Sequence, residues 1–183
     1  VLSTHTGEFT GFTYRDLTTD LPAYIHHWQT LGLHFDAIYS GFLGSKQQIA
    51  ILKDFCRKFR EKNTLVFVDP VMGDNGKLYS VYTPEICAEM KQLAAEADIL
   101  VPNMTEAAFL LDIPYQQGPY SKDYIQYILT GLLDLGAKTA VLTGVWLEEK
   151  HLGAAAMSRE EDKTFYAFSP KVSGMFHGTG DVF

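Results

Sequence analysis

Hydrophobic positions along the chain follow two patterns that alternate. Short, nearly continuous apolar runs lie at 35–40, 64–68, 99–101 and 138–142. Such runs are typical of strands in a parallel sheet that is covered on both faces. Between the runs, apolar residues recur every three or four positions, which is the period of a helix that buries one face. The pattern therefore predicts strands that alternate with helices of about 10 to 15 residues.

The predicted helices occupy most of the chain between the strands. We expect them at 16–31, from 45 to about 61, from 84 to 97, from 103 to 111 and at 121–135. Ser45 with Gln48 forms a capping-box pattern, and Thr83 followed by Pro84 is a typical helix start. Two further strands at 152–157 and 164–169 are joined by a charged turn. This order predicts right-handed crossovers and a parallel sheet.

Composition and charge narrow the functional classes. The 183 residues carry a net charge of −7, which argues against nucleic acid or an anionic membrane as a partner. Backbone N–H groups, a metal ion and a few lysines can still neutralise a nucleotide. No apolar run approaches the roughly 20 residues of a membrane span. Cys56 and Cys87 lie in helical patterns and are predicted to be buried thiols in a reducing, cytoplasmic compartment.

Polar residues follow three of the predicted strands at the point where each strand ends. They are Asp69, Asn103 and the pair Thr143-Gly144. Ligands of open α/β sheets bind at the carboxyl ends of the strands, so we expect these residues to share one rim. Each has a simpler interpretation: Asp69 in a turn before Pro70, Thr143-Gly144 as a plain strand exit, and Asn103 with Glu106 as a capping box. Their occurrence together favours a binding site.

The segment Gly178-Thr179-Gly180-Asp181 is the strongest candidate for chemistry. Glycines allow backbone N–H groups to converge on one point, and a helix start adds a positive dipole end. An aspartate beside such an anion hole can take a proton from a hydroxyl group during phosphoryl transfer. Taken alone, these four residues are equally typical of a glycine-rich turn with an Asp cap.

Taken together, these motifs resemble the signature set of pyridoxal (pyridoxamine) kinases in the ribokinase-like superfamily. The resemblance rests on Asp69-Pro70-Val71-Met72-Gly73-Asp74, on Asn103-x-x-Glu106, and on Gly178 to Asp181. It implies a three-layer α/β/α sandwich with a mostly parallel central sheet, forming one kinase domain over 1–183 that is expected to be truncated at both ends. It further implies a homodimer.

The implied reaction is ATP-dependent phosphorylation of the 5′-hydroxymethyl group of a B6 vitamer. By motif match, Asp181 is the base, and the backbone of Gly178, Thr179 and Gly180 holds the γ-phosphoryl group. Other residues match binding positions of the family: phosphates and Mg²⁺ with its water at Asp69, Asn103 and Glu106, the nucleotide at Thr143 and Gly144, and the vitamer at His5, Thr6 and Phe42. Phe42 stands where the family usually has a ring-stacking tyrosine. A monovalent cation such as K⁺ is a further candidate cofactor.

The connection from Asp69 to Thr83 is expected to be a flap that closes over ATP, with a plain surface loop as the alternative. The nearest rival function is a hydroxymethylpyrimidine (phosphate) kinase of the same superfamily. Such enzymes often carry Cys after Gly-Thr-Gly and lack the Gly-Asp pair, so Asp181 and Gly73-Asp74 favour the B6 vitamer. A non-catalytic vitamin- or nucleotide-binding protein remains an alternative, whereas the lack of an early G-x-G-x-x-G disfavours a dinucleotide-binding oxidoreductase.

Overall fold

The computed structural model describes residues 10–161 and 163–174 of the chain. Two compact units are distinguished, one formed by Val1–Leu33 with Val172–Phe183 and the other by His34–Lys171. That one kinase domain spans 1–183 stays a prediction. Within the described residues, no helix combines the length and apolar character needed to cross a membrane.

In the first unit, the described part contains one helix, α1 (Leu21–Thr30). It begins five residues later than the apolar spacing predicts. Asp20 is the N-cap residue and Pro22 lies in the first turn, where proline is favoured because its missing N–H has no helical partner there. The preceding residues form a turn instead, in which the N–H of Asp20 donates to the carbonyl of Leu17 at 2.9 Å.

The second unit is an α/β structure whose elements follow the predicted order. Its main sheet has the strand order β1-β2-β5-β6-β7-β8. These strands are β1 (Ala37–Ser40), β2 (Leu65–Val68), β5 (Ile99–Leu100), β6 (Thr139–Val145), β7 (His151–Ser158) and β8 (Phe165–Pro170). The first four are parallel, and β7 and β8 add an antiparallel meander. The predicted α/β fold with a mostly parallel central sheet is confirmed.

Four helices of this unit pack side by side along the sheet: α2 (Lys46–Phe59), α3 (Pro84–Ala95), α4 (Met104–Leu111) and α5 (Lys122–Asp134). The crossovers from β1 to β6 all step in the same direction, and right-handed crossovers in one direction place their helices on one face. Burial agrees, because Ile38 and Val66 are buried whereas their strand neighbours Tyr39 and Leu65 are nearly half exposed. The described part of this unit thus supplies one helical layer on the sheet.

Helices α2 to α5 each begin with a side-chain cap, and the sequence predicts three of these caps, at Ser45, Thr83 and Asn103. Ser45, Thr83, Asn103 and Ser121 each accept a hydrogen bond from the backbone N–H three residues on. The Asn103–Glu106 capping box is complete in both directions. At Ser45 the Gln48 side chain accepts from the N–H of Gly44 at 2.8 Å, one residue before the cap.

The connection between β2 and α3 holds a small hairpin that the sequence pattern does not predict. Strands β3 (Gly73–Asp74) and β4 (Lys77–Leu78) pair antiparallel around Asn75 and Gly76, whose φ angles are +51° and +76°. Two positive φ angles define the turn that suits a two-residue hairpin, and Asn-Gly is its preferred sequence. Strands of two residues are too short to show an alternation of apolar and polar residues. The Asn75-Gly76 pair is therefore the feature of the sequence that could have indicated the hairpin.

A buried carboxylate ties together the amino ends of three strands, opposite the predicted rim. Asp98 accepts from the N–H of Val66 at 2.8 Å and pairs with Arg60 and Lys138, each at 2.7 Å. Burial by itself raises the pKa of Asp98, but its bonds to Lys138 and Val66 and the charge of Arg60 outweigh burial and leave the pKa below its usual value. This cluster joins the end of α2 to β2, β5 and β6.

Candidate active site

The carboxyl ends of β1, β2, β5 and β6 meet at one rim of the sheet because these neighbouring strands are parallel. Backbone hydrogen bonds continue past the strand ends. The N–H of Asp69 donates to the carbonyl of Ser40 at 3.0 Å, and that of Thr143 donates to the carbonyl of Pro102 at 2.9 Å. Asn103 pairs with Thr143 in an isolated parallel bridge. Asp69 and Asn103 therefore follow β2 and β5 at the rim, and Thr143 lies beside Asn103 in the last residues of the neighbouring strand β6.

Asp69 lies beside β1 at this rim, with its side chain partly exposed. The Tyr39 hydroxyl of β1 donates to its carboxylate at 3.0 Å. Sequence reasoning missed Tyr39, which precedes the strand-ending Ser40 and resembles any other aromatic strand residue. The tyrosine hydroxyl therefore helps to fix one oxygen of this partly exposed carboxylate.

Glu106 is the most constrained carboxylate of the site, with only 3% of the residue exposed. One oxygen accepts from the N–H of Met72 at 3.1 Å and the other from the N–H of Asn103 at 2.8 Å. Burial, and to a lesser extent the charge of Asp69, raises the pKa of Glu106 to about 7, although the backbone donors favour its charged form. A cation placed near Glu106 would favour its charged form and lower its pKa.

These bonds decide how the site could hold Mg²⁺. The described residues contain no group of three or more His, Cys, Asp or Glu arranged to enclose a metal ion. Each oxygen of Glu106 already accepts a hydrogen bond from a backbone N–H, which leaves at most one further lone pair on each oxygen for a cation or its water. The donor set fits an ion that keeps much of its water and takes other ligands from phosphate, which is the habit of Mg²⁺. Asp69 is the more accessible of the two predicted ligands.

Gly144 interrupts β6 at the rim. Its φ of +67° is a conformation that favours glycine, and the pairing of β6 with β7 shifts register between Thr143 and Val145. Nothing lies within 4 Å of the position that a Cβ would occupy. This bulge leaves an exposed stretch of backbone next to Thr143, at the place where the sequence predicts nucleotide contacts.

Phe42 follows β1, and 44% of it is exposed. Its ring stands edge-on to the ring of Tyr82, with centroids 6.2 Å apart, and the Tyr82 hydroxyl donates to the carbonyl of Leu43 at 2.8 Å. Tyr82 is buried and so supports the Phe42 segment from below. A large part of the Phe42 ring stays available for contact with a planar ligand.

The β3–β4 hairpin is bonded to the same rim. The Asn103 side-chain amide donates to the carbonyl of Gly73 at 2.9 Å, next to the bond between Glu106 and Met72. Met72 itself is fully buried. The base of the predicted flap is thus anchored to the capping box of α4.

The remaining predicted site residues lie outside the described residues. These are His5 and Thr6 of the vitamer loop, and Gly178, Thr179, Gly180 and Asp181 of the anion hole. Among the described ones, Asp69, Asn103, Glu106, Thr143 and Gly144 lie at one rim, and Phe42 follows the strand beside them. Together they supply two carboxylates, an amide, a hydroxyl and the exposed backbone of Gly144. Such a set of groups can bind a phosphate-bearing ligand together with a cation.

The fold and the rim define a class of protein, an α/β protein of the ribokinase-like fold. The phosphomethylpyrimidine kinase family model matches residues 26–183, so the chain belongs to that family. A candidate pyridoxal kinase of Schizosaccharomyces pombe is 28% identical over 162 residues, covering 85% of this chain and 46% of the relative. The resemblance to pyridoxal kinases is confirmed.

Two solved structures extend the comparison. A candidate phosphomethylpyrimidine kinase of Bacteroides thetaiotaomicron, crystallised with pyridoxal, superposes with a TM-score of 0.90 at 37% identity. Pyridoxal kinase from Lactobacillus plantarum superposes with a TM-score of 0.85 at 34% identity. Each match covers 98% of this chain and 63% of the other. The chain spans about half the length of the curated relatives it matches.

Proposed function

We propose that the full-length protein is a kinase that transfers the γ-phosphoryl group of ATP to the 5′-hydroxymethyl group of a B6 vitamer: pyridoxal, pyridoxamine or pyridoxine. The observation that carries the proposal is the row of Asp69, Asn103 and Thr143 at adjacent strand ends, with Glu106 buried behind it. The pyridoxal bound by the Bacteroides relative and the name of the Lactobacillus relative support the choice of substrate.

In this proposal, positioning and charge neutralisation do most of the work, as is usual for phosphoryl transfer. Asp181 accepts the proton of the vitamer hydroxyl, while the backbone of Gly178 to Gly180 stabilises the transferred group. Thr143 and Gly144 contact the nucleotide. Phe42 stacks on the pyridine ring, and His5 and Thr6 also contact the vitamer.

The proposal includes Mg²⁺ bound mainly through ATP phosphates and water, with Asp69 and Glu106 as the residues that hold its water. The ion supplies positive charge that offsets the charge on the phosphates when it is bound. The arrangement of two backbone donors on Glu106 supports a role through water. A monovalent cation such as K⁺ is proposed as a second ion on the strength of the family resemblance alone.

The cation role of Glu106 can be tested with Glu106→Gln in the full-length protein. The neutral amide should raise the Mg²⁺ concentration needed for half-maximal rate, because it no longer attracts the hydrated ion. Ser121→Ala is the matched control, since it removes the cap of a different helix, α5. If Glu106→Gln leaves the Mg²⁺ dependence as in the wild type, Glu106 acts only as a cap and a hairpin anchor.

A second candidate function is phosphorylation of hydroxymethylpyrimidine or its phosphate. The family model that matches the chain carries the name of that activity, and so does the Bacteroides relative. Both substrates are flat heteroaromatic rings with a hydroxymethyl group, so the rim suits either. The sequence favours the B6 vitamer through Asp181 and the Gly73-Asp74 pair.

Side-by-side turnover separates these functions. The full-length protein is assayed for ATP consumption with pyridoxal, pyridoxamine, pyridoxine and hydroxymethylpyrimidine at equal concentrations. We expect the highest kcat/KM with a B6 vitamer. A higher kcat/KM with hydroxymethylpyrimidine would establish the second candidate, and binding of vitamer without turnover would indicate a non-catalytic protein of the same fold.

We also propose a cytoplasmic homodimer with a single kinase domain and small-molecule ligands only. The support is the family resemblance, together with the net charge of −7 and the unpaired thiols Cys56 and Cys87. Light scattering of the purified full-length protein gives its mass directly. A mass equal to one chain would refute the dimer without affecting the proposed reaction.

A further inference from the structure

The turn of the β3–β4 hairpin is bonded to a buried hydroxyl on α4. The N–H of Gly76 donates to the Thr105 hydroxyl at 2.9 Å. Thr105 lies in the first turn of α4, and only 2% of it is exposed. In the two-residue turn formed by Asn75 and Gly76, this N–H points away from the hairpin ladder and is free to bond elsewhere.

A second side chain packs against the same glycine. A Cβ added to Gly76 would lie 2.6 Å from Cδ1 of Tyr115, so the ring already fills the space beside the turn. Tyr115 belongs to the connection that follows α4, between Leu111 and Lys122. The turn is therefore held between a residue of the first turn of α4 and a ring from the segment after it.

The base of the hairpin is attached at the same helix start. Glu106 binds the N–H of Met72, and Asn103 binds the carbonyl of Gly73. Hydrogen bonds thus reach the hairpin from three residues of one helix start: Asn103, Thr105 and Glu106. Asn103 and Glu106 face the proposed phosphate site, whereas the Thr105 side chain is bonded to the turn of the hairpin.

We propose that Thr105 is a positioning residue that holds the β3–β4 hairpin against α4 and thereby sets the affinity for the nucleotide phosphates. The inference rests on the proposed function, since it assigns the hairpin to the wall of the ATP site beside Asp69 and Asn103. A wall that is already in place does not have to be ordered when the ligand binds, and binding is tighter for that reason. We call the hydrogen bond between the Gly76 N–H and the Thr105 hydroxyl the latch. Loss of the latch should weaken nucleotide binding and leave the reacting groups in place.

Two variants of Thr105 separate its hydroxyl from its bulk. Thr105→Val keeps the shape and removes the acceptor, whereas Thr105→Ser keeps the acceptor. In the full-length protein we expect Thr105→Val to speed hydrogen exchange of the Gly76 amide about tenfold or more, because a lost bond opens the turn locally. The dissociation constant for a non-hydrolysable ATP analogue should rise about tenfold, with kcat within about threefold of wild type. Thr105→Ser should match the wild type in both measurements.

Thr64→Val is the control for a lost buried threonine hydroxyl. Thr64 is 5% exposed, and its hydroxyl donates to the carbonyl of Phe35 at 2.8 Å just before β2, at the amino end of the strands. We expect Thr64→Val and Thr105→Val both to lower the melting temperature. Thr64→Val should leave the Gly76 exchange rate and the affinity for the ATP analogue unchanged.

Each outcome decides the proposal. Unchanged Gly76 exchange in Thr105→Val would show that the latch does not hold the turn, and faster exchange with unchanged nucleotide affinity would show that the latch does not serve the nucleotide. Either result overturns the inference. The kinase assignment is decided separately by turnover of the wild type, because exchange and analogue binding need no phosphoryl transfer. A wild type that turns over ATP but does not bind the analogue would overturn this inference and leave the kinase assignment intact.

Discussion

At the scale of single residues, Glu106 shows how one side chain serves structure and site together. Its two oxygens satisfy the N–H groups of Asn103 and Met72, so the same carboxylate caps α4 and fixes the start of the hairpin connection. A capping role and a cation-binding role are therefore compatible here, because the charge stays next to the rim while the oxygens remain bonded. The sequence left open whether Glu106 belongs to a capping box or to a binding site, and the structure is compatible with both roles.

The proposed base gives the sharpest test at a single position. Phosphoryl transfer to an alcohol requires the hydroxyl proton to leave, and a positioned carboxylate contributes about 10²- to 10⁴-fold to the rate. Asp181→Asn keeps the size of the side chain but accepts no proton. We expect kcat at pH 7 to fall at least about 100-fold, with vitamer and ATP dissociation constants within a few-fold of wild type.

The control for this change is Asp134→Asn, which neutralises an exposed carboxylate at the end of α5. It should leave kcat near the wild-type value. If Asp181→Asn also keeps a near-wild-type kcat in steady-state assays, another group takes the proton and the catalytic half of the proposed function fails.

Phe42 offers a test of the proposed vitamer position. Its ring is 44% exposed and is supported edge-on by Tyr82, so truncation removes contact surface without opening the core. Phe42→Ala should weaken vitamer binding by roughly 1–3 kcal/mol and change ATP affinity little, because stacking of one aromatic ring on a heterocycle is of that size. Isothermal titration with each ligand measures both effects.

A matched control is Phe165→Ala on β8, which is 46% exposed and lies far along the sheet from β1. That variant should leave both affinities unchanged. Equal loss of vitamer and ATP affinity in Phe42→Ala would mean that the residue supports the rim in general and that the pyridine ring binds elsewhere.

At the scale of elements, the sequence predicts what is local and misses what depends on distant partners. Strong apolar periodicity and capping residues located α2 to α5 and the strands between them. Strand β6 runs three residues past its predicted end, because pairing with β7 extends it to Val145. Asp69 and Asn103 were found because strand ends are visible in the sequence. Tyr39 and Thr105 were missed, since their partners lie 30 and 29 residues away.

The bulge at Gly144 depends on its partner strands, and Gly153 of β7 lies opposite it. Val145 pairs with Gly153, and a Cβ added to Gly153 would lie 1.9 Å from the carbonyl oxygen of Ala167 in β8. Backbone atoms cannot yield as a flexible side chain can, so Gly153→Ala must push β7 and β8 apart. We expect the free energy of unfolding, measured by chemical denaturation, to fall by about 1–3 kcal/mol.

Gly41→Ala is the comparison, because nothing lies within 4 Å of its Cβ position and its φ is not in the left-handed region. Its free energy of unfolding should stay within about 0.5 kcal/mol of wild type. A Gly153→Ala protein as stable as Gly41→Ala would contradict the close approach of β7 and β8.

At the scale of the whole molecule, two buried carboxylates lie at opposite ends of the parallel strands and have opposite pKa shifts. Asp98 at the amino ends has a lowered pKa, because its bonds to Lys138 and Val66 and the charge of Arg60 outweigh the effect of burial. Glu106 at the carboxyl ends has a pKa raised to about 7, mainly by burial. The surroundings of Asp98 favour its charged form, as suits a structural ion-pair cluster. Those of Glu106 disfavour its charged form, so a cation bound nearby would change its protonation.

These shifts predict the pH dependence of stability in the absence of nucleotide and Mg²⁺. Asp98 contributes stability that is present above its unfolded pKa of 3.8 and is lost as the pH falls through its lower folded pKa. Glu106 contributes stability that is fully present below its unfolded pKa of 4.5 and is lost as the pH rises through about 7. The free energy of unfolding should therefore peak on the acid side of neutrality. Chemical denaturation between about pH 3 and 8 measures this profile.

Two variants should each remove one side of the profile. Glu106→Gln should flatten the decline between about pH 4.5 and 7 and leave the acid side unchanged, whereas Asp98→Asn should flatten only the rise at low pH. The slope is the readout, because it reports proton uptake and is independent of the constant loss that each lost hydrogen bond adds. Since an ionised Glu106 is favoured by a nearby cation, Mg²⁺ with an ATP analogue should also flatten the decline in the wild type. A decline that persists in Glu106→Gln would assign the titrating group to another residue.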